Sequence, residues 1–415
     1  LLALGNACAA NPQAHEDCDS AGLGGAAGSG SAGAGRDAPT LGPYEDGCVE
    51  ISERIKEPLE LKKRHVAPGT PDYCIDAPHT ALGVVAPVTI EPGVVIEMTT
   101  GTAVEITEGG SLHAAGTAEA PVVFTGRVKS PGSWEAIRFE TTSPDNVLDH
   151  VVIEHAGAEA TFDLGSLILG SIVGRAGRLA ITNTTIRSGA GAGIVAYSGR
   201  FTEFSQNTIT EHENVPILGH LNTLDALDED SSYSGNVRDW IEIMPVPVNV
   251  SAPDIDVSLA RLDVPYRFTR AERLTARLEI AAGTTLLFSQ DAGLVIAPEG
   301  SLVAVGTAEA PILFDSASGS PGSWKGVAIS SLDSANRLEH VSLANGGSPD
   351  KLCCGYGSVK AQLIVGHNVD DAGRVTLRNV SITGSGGYGL YVFKNGTVNA
   401  TDVTYANNAL GNFGL

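Results

Sequence analysis

The sequence predicts an all-β chain wound as a β-solenoid, made of two tandem related halves behind a flexible N-terminal tether and a short capping segment. Three observations carry that reading. The hexapeptide Gly116-Thr117-Ala118-Glu119-Ala120-Pro121 returns letter for letter as Gly306-Thr307-Ala308-Glu309-Ala310-Pro311, and further short motifs follow it in the same order. Runs of four to six Val, Ile, Leu, Phe and Thr residues alternate with Gly, Pro, Asn or Asp, the punctuation of short strands and turns. Glycine is abundant, 50 of 415 residues, against a usual share of roughly 7%.

Residues 1–40 predict a signal remnant followed by a linker. Leu1 to Ala10 has the apolar and small-residue character of the end of an export signal. The stretch resembles a bacterial lipoprotein signal, which would make Cys8 the lipidated residue, although Gly5 stands where such signals prefer Leu. From Ser20 to Gly35 nearly every residue is Gly, Ala or Ser, too little apolar surface to offset chain entropy. Residues 41–81 read as a capping segment. Apolar Val49, Ile51, Ile55, Leu59 and Leu61 suggest a short amphipathic helix from Val49 to Lys63, placed to cover the open edge of the first coil. Cys48 and Cys74 are expected to pair and staple this segment, since both lie in loop-like sequence. Cys353 and Cys354 are adjacent, either a vicinal disulfide or free thiols, and lack the spacing of a zinc site.

Residues 82–273 form the first half and 274–415 the second, which is incomplete at its C-terminal end. Ser130-Pro131-Gly132-Ser133-Trp134 recurs as Ser320-Pro321-Gly322-Ser323-Trp324, and Leu148-Asp149-His150-Val151 as Leu338-Glu339-His340-Val341, each 190 residues on. Further along the offset is 196, because Asn183 matches Asn379 and Ile186 matches Ile382. The six extra residues fall near Ser348 to Lys360. Strands such as Val122-Val123-Phe124 are too short to support a core singly, but coils stacked about 4.8 Å apart complete one another's backbone hydrogen bonds. A last coil with nothing stacked on it leads to the expectation that the protein continues beyond Leu415 or is capped there by another subunit.

These motifs, in this order, resemble bacterial right-handed parallel β-helix proteins of the pectin-lyase-like superfamily, over roughly residues 82 to 415. The resemblance implies that fold and an exported protein. For activity it implies little, because the fold carries lyases, hydrolases and adhesins alike. Val147-Leu148-Asp149-His150 only faintly matches the Trp-Ile-Asp-His segment of pectate lyases, and the polygalacturonase motifs are absent or out of order.

The candidate site residues follow from the repeats. Trp134 and Trp324 are candidates for stacking on a sugar ring, set against the simpler reading of a packed coil corner. His150 and His340 each follow a carboxylate, but neighbours on a strand point to opposite faces, so direct pairing is not expected. Asn183, Asn207 and Asn379 suggest hydrogen-bonded Asn ladders at bends. Asp225, Asp228 and Asp230 are a weak calcium candidate, with Tyr233 where a calcium loop of the EF-hand type needs Gly. No other cofactor is expected.

Charge narrows the partners. The net charge of −22 repels phosphate backbones and anionic membranes, which excludes nucleic acid, and no apolar run is long enough for a transmembrane helix. The expected function is a secreted or outer-surface scaffold, adhesin-like and either free or lipid-anchored, contacting polysaccharide or other surface proteins or associating with itself end to end. The alternative is a polysaccharide lyase or glycoside hydrolase acting through Asp145, Asp149 and Glu154 on one coil face.

Overall fold

The computed structural model describes residues 42–43 and 47–415, apart from 68, 78–79, 159–164, 170–175, 245–254, 291, 349–358 and 367–371. The proposed tether, Cys8, Cys353 and Cys354 therefore lie outside the described residues. What is described is a parallel β-solenoid of about 13 turns. Its only helical element is the 3-10 turn Leu221–Thr223.

In the first half each coil contributes a strand to each of three sheets. Sheet I stacks Val49–Ile51, Tyr73–Ile75, Val95–Met98, Val122–Gly126, Val151–Glu154, Thr185–Arg187 and Thr208–Thr210. Sheet II runs from Thr80–Val84 through Thr102–Ile106, Ile137–Phe139, Gly165–Leu169 and Ala192–Ala196 to Ile217–His220. Sheet III runs from Leu59–Leu61 to Gly199–Ser205. Alternation within each strand sends every second residue inward, where in-register neighbours stack: Tyr73, Ile96, Phe124, Ile153, Ile186 and Ile209 form one such column, none more than 4% exposed. Each such side chain contributes about 1.5–3 kcal/mol on burial.

The motifs make the corners. In Gly-Thr-Ala-Glu-Ala-Pro the Thr hydroxyl accepts the backbone N–H of the second Ala, Ala120 to Thr117 at 3.1 Å and Ala310 to Thr307 at 3.0 Å. The leading glycine is forced by a close approach. A Cβ on Gly116 would lie 2.4 Å from the carbonyl oxygen of His150, and one on Gly306 2.7 Å from that of His340.

The expected helix from Val49 to Lys63 is not formed. Val49–Ile51 and Leu59–Leu61 are strands of sheets I and III, and Ile55 bridges to Val84 in sheet II, so this segment is itself a coil. Pro58 would interrupt a helix there, and the pairs Val49/Ile51 and Leu59/Leu61 have strand spacing. Gly42–Pro43 pairs antiparallel with Val49–Ile51 on the open side of sheet I. The Cys48–Cys74 disulfide is present, between residues 26 apart in sequence. Reduction should cost about 3 kcal/mol by the loop-entropy estimate. Because both cysteines are at most 2% exposed, loss of hydrogen-exchange protection over residues 48–75 should follow reductant slowly, limited by local opening.

The two halves do not stack sheet on matching sheet. Sheet II continues from Ile217–His220 through Ile241–Met244 and Tyr266–Phe268 into Thr285–Phe288 and Ile312–Ser316. Those last two strands match Val95–Met98 and Val122–Gly126 by sequence, which lie in sheet I. The second half is thus threaded one face out of phase with the first.

Candidate functional site

The corner between sheets III and I is turned by one residue with positive φ in each of several coils. His150 (φ 49°), Asn183 (50°) and Gln206 (54°) occupy it in the first half, and the matching His340 (50°), Asn379 (50°) and Asp402 (54°) of the second half make the same left-handed turn within the long strands Arg337–Ala344, Gly373–Thr383 and Gly396–Ala406. Asn, Asp and His tolerate this left-handed conformation better than other side-chain-bearing residues. The turn also swings His150 beside its neighbour: Nδ1 lies 3.0 Å from Asp149 Oδ1, against the expectation of opposite faces. Thr182 Oγ1 and Asn183 Nδ2 donate to the same oxygen at 2.8 Å each. Burial alone would raise the Asp149 pKa, but the Asn183, Thr182 and His150 donors hold it below the usual carboxylate value. In the second half Glu339 faces Arg378 at 3.7 Å and Asn379 Nδ2 lies 3.3 Å from His340 Nε2. The carboxylate–His contact is thus made in the first half alone, and in the second half the two residues take separate partners.

The tryptophans correct the sugar-stacking expectation. Trp134 and Trp324 are 0% exposed, and their indole N–H groups donate to the carbonyl oxygens of Glu154 (2.9 Å) and Ala344 (2.7 Å). No face is left for a ligand. Asn207 bonds the backbone of the adjacent coil rather than another Asn, accepting from Thr184 N and donating to Ile181 O, both at 3.0 Å. Asn183 and Asn379 instead occupy the left-handed corner.

The calcium candidate is also not assembled. Asp225 faces Arg200 at 4.0 Å, Asp228 is tied to Tyr233, whose hydroxyl donates to its carbonyl oxygen at 3.1 Å, and Asp230 is exposed. Among the described residues no three His, Cys, Asp or Glu side chains are arranged to hold a metal ion. Nor do Asp149 and Glu154 share a face, since the corner at His150 puts them in sheets III and I. An open groove of about 610 Å³ on the outside of sheet II is lined by Arg54, Glu105, Thr107, Glu108, Glu140 and Thr142.

A further polar cluster lies on the outer face of sheet I. Glu97, Thr125, Glu154 and Arg187 stand in register on successive coils. Glu154 Oε2 accepts from Arg187 Nε at 3.0 Å and Nη2 at 2.7 Å, and its Oε1 accepts from Thr125 Oγ1 at 2.9 Å. Lys129 Nζ donates to Thr125 Oγ1 at 3.1 Å, and His155 Nδ1 lies 3.1 Å from the same oxygen. Burial would raise the Glu154 pKa, yet Arg187 and Thr125 keep it lowered, so the group is ionised and can only accept. The single Thr125 hydrogen therefore goes to Glu154, and the imidazole must carry its proton on Nδ1. Burial lowers the His155 pKa; Glu154 opposes this, while Lys129 and Arg187 add to it. The result is a neutral imidazole, oriented through Thr125 by Glu154, whose Nε2 has no hydrogen-bond partner among the described residues. Such an arrangement can accept a proton.

The cluster occurs once. At the matching positions the second half has Leu287 for Glu97, Asp315 for Thr125, Gly319 for Lys129, Ala344 for Glu154, Asn345 for His155 and Thr383 for Arg187. Its corner closes instead through Asn345 Nδ2 and Asp315 Oδ1 at 2.8 Å. The sequence reading passed over Thr125, Lys129, His155 and Arg187. Aligning the halves and asking which ionisable residues have no ionisable counterpart would have found Lys129, His155 and Arg187.

No family profile matches the chain, and no curated protein or solved structure matches it. The parallel β-solenoid itself is evident from the strand register alone. A functional reading has to rest on the surface chemistry described above.

Proposed function

We propose that the chain is an exported or cell-surface scaffold of adhesin type, a bacterial right-handed parallel β-helix similar to the pectin-lyase-like superfamily, which contacts glycans or other surface proteins along its outer faces. One observation carries this reading: the motifs conserved between the halves are consumed in building coils, with equivalent partners on each side. Trp134 and Trp324 bond the same carbonyl position, and Asn146 and Asn336 accept from Leu112 N and Leu302 N at 3.1 and 2.8 Å. Duplication has preserved the shaft rather than a reaction centre. The apolar opening sequence and the Gly/Ala/Ser stretch support export and tethering, and the charge of −22 supports a solvated surface protein.

A second reading, a polysaccharide lyase or glycoside hydrolase, has the single cluster at His155 in its favour. Incubation with acidic and neutral polysaccharides, with and without Ca²⁺, separates the two. The scaffold reading expects retention on glycan-containing gels with no unsaturated product and no new reducing ends. Product that forms with the native protein and is lost in His155→Asn would overturn it in favour of the enzyme. Asn stands at the matching corner of the second half with φ 62°, so that variant keeps the fold.

A further inference from the structure

At the junction of the halves the three sheets are not equally continuous. Among the described residues only sheet II passes through unbroken, by way of Ile241–Met244 and Tyr266–Phe268. Sheet I ends at Thr208–Thr210, extended only by a bridge to Ser232, and sheet III ends at Gly199–Ser205. Among the described residues Val257–Leu259, at the edge of the sheet that contains sheet II, and Ala271–Leu274, the first strand of a further sheet, are each hydrogen-bonded to a single neighbouring strand.

The second of these strands carries a carboxyl group into the core. Glu272 pairs in register with Leu294, and Leu274, two residues on and on the same side, pairs with Ile296; all three leucine and isoleucine side chains belong to the core. Glu272 is 5% exposed. The facing strand Gly293–Ile296 has no titratable side chain. The adjacent Arg273 points to the other side, where it lies 3.8 Å from Glu299. In the first half the corresponding residue is Leu82, 3% exposed. The solenoid has therefore placed an ionisable group at a core position that leucine fills in the first half.

We propose that the junction is a built-in opening point of the shaft, controlled by the ionisation of Glu272: neutral, it lets Ala271–Leu274 stay closed on Gly293–Ile296, and charged, it must reach water and parts them. Burial raises the Glu272 pKa from 4.5 to about 8. The sign follows from linkage. The native state holds a proton that the unfolded chain gives up above 4.5, so this contribution is full in acid and is lost as pH rises through about 8.

Hydrogen exchange of the full chain, corrected for intrinsic rates, tests this directly. Protection across residues 257–274 should fall about tenfold for each pH unit between 4.5 and about 8 and level off above that, while residues 122–154 keep theirs. Glu272→Leu should be more protected and independent of pH, and Glu272→Gln, which keeps the size and cannot ionise, should also lose the pH dependence. Unchanged protection in the native protein between pH 6 and 9, or the same loss in Glu272→Gln, overturns the proposal.

Discussion

Replacing Asp72 by Ala should destabilise the N-terminal coils by about 3–5 kcal/mol, the usual cost of removing one partner from a buried ion pair. The carboxylate is 0% exposed and accepts from Lys63 Nζ at 2.8 Å and from the backbone N–H groups of Arg64, His65 and Val95 at 2.7, 2.8 and 2.9 Å. It ties the chain leaving Leu59–Leu61 to two coils of sheet I, and without it three backbone donors are left unpaired. Asp72→Asn should cost nearly as much, since an amide offers one acceptor oxygen where the carboxylate offers two. Burial works to raise the Asp72 pKa, but Lys63 and the backbone donors of Val95, His65 and Arg64 prevail and lower it. The associated stability is thus fully present above the ordinary value of 3.8 and is lost as pH falls through the lower native pKa. Thermal unfolding followed against pH should show that acid step in the native protein and a smaller one in Asp72→Asn.

Trp324→Ala should cost a further about 3–5 kcal/mol, the range for deleting a buried aromatic side chain. Its ring stacks on Phe288 with centroids 4.2 Å apart, and Phe288 stacks in turn on Phe268 at 4.9 Å and Phe314 at 6.1 Å. The loss removes one end of a connected aromatic stack as well as a cavity's worth of dispersion contacts. Trp324→Phe should recover most of that, forfeiting chiefly the N–H bond to Ala344 O, for which Gln362 Nε2 at 3.4 Å supplies a second donor. Denaturant unfolding of the three proteins gives the comparison. A Trp324→Ala protein as stable as the native one would mean that the ring is not packed as described.

These expectations depend on features of very different visibility in the sequence. The coil frame was legible, because Gly116-Thr117-Ala118-Glu119-Ala120-Pro121 and Pro-Gly-Ser-Trp recur with one spacing and each motif makes its corner by local backbone rules. The Cys48–Cys74 pair was legible too. The segment Val49 to Lys63 was misread since Ile51, Ile55 and Leu59 have helical spacing, although Pro58 argued the other way. Strand alternation misled at Asp149-His150 because a single left-handed residue reverses it, and nothing in composition announces positive φ at a histidine. The direction of the Trp134 and Trp324 rings follows from packing between coils, which short motifs do not encode. The cluster at His155 gathers residues from three coils, so it becomes visible only when the register between Thr125, Glu154 and Arg187 is known.

The shift of one face between the halves decides how the protein meets anything long. Equivalent residues of the two copies look out from different flanks of the shaft, so a fibre lying straight along one flank would touch the outer residues of only one copy of each pair. Gene duplication has therefore widened the range of directions in which this protein presents itself, where a copy stacked in phase would have lengthened a single contact strip.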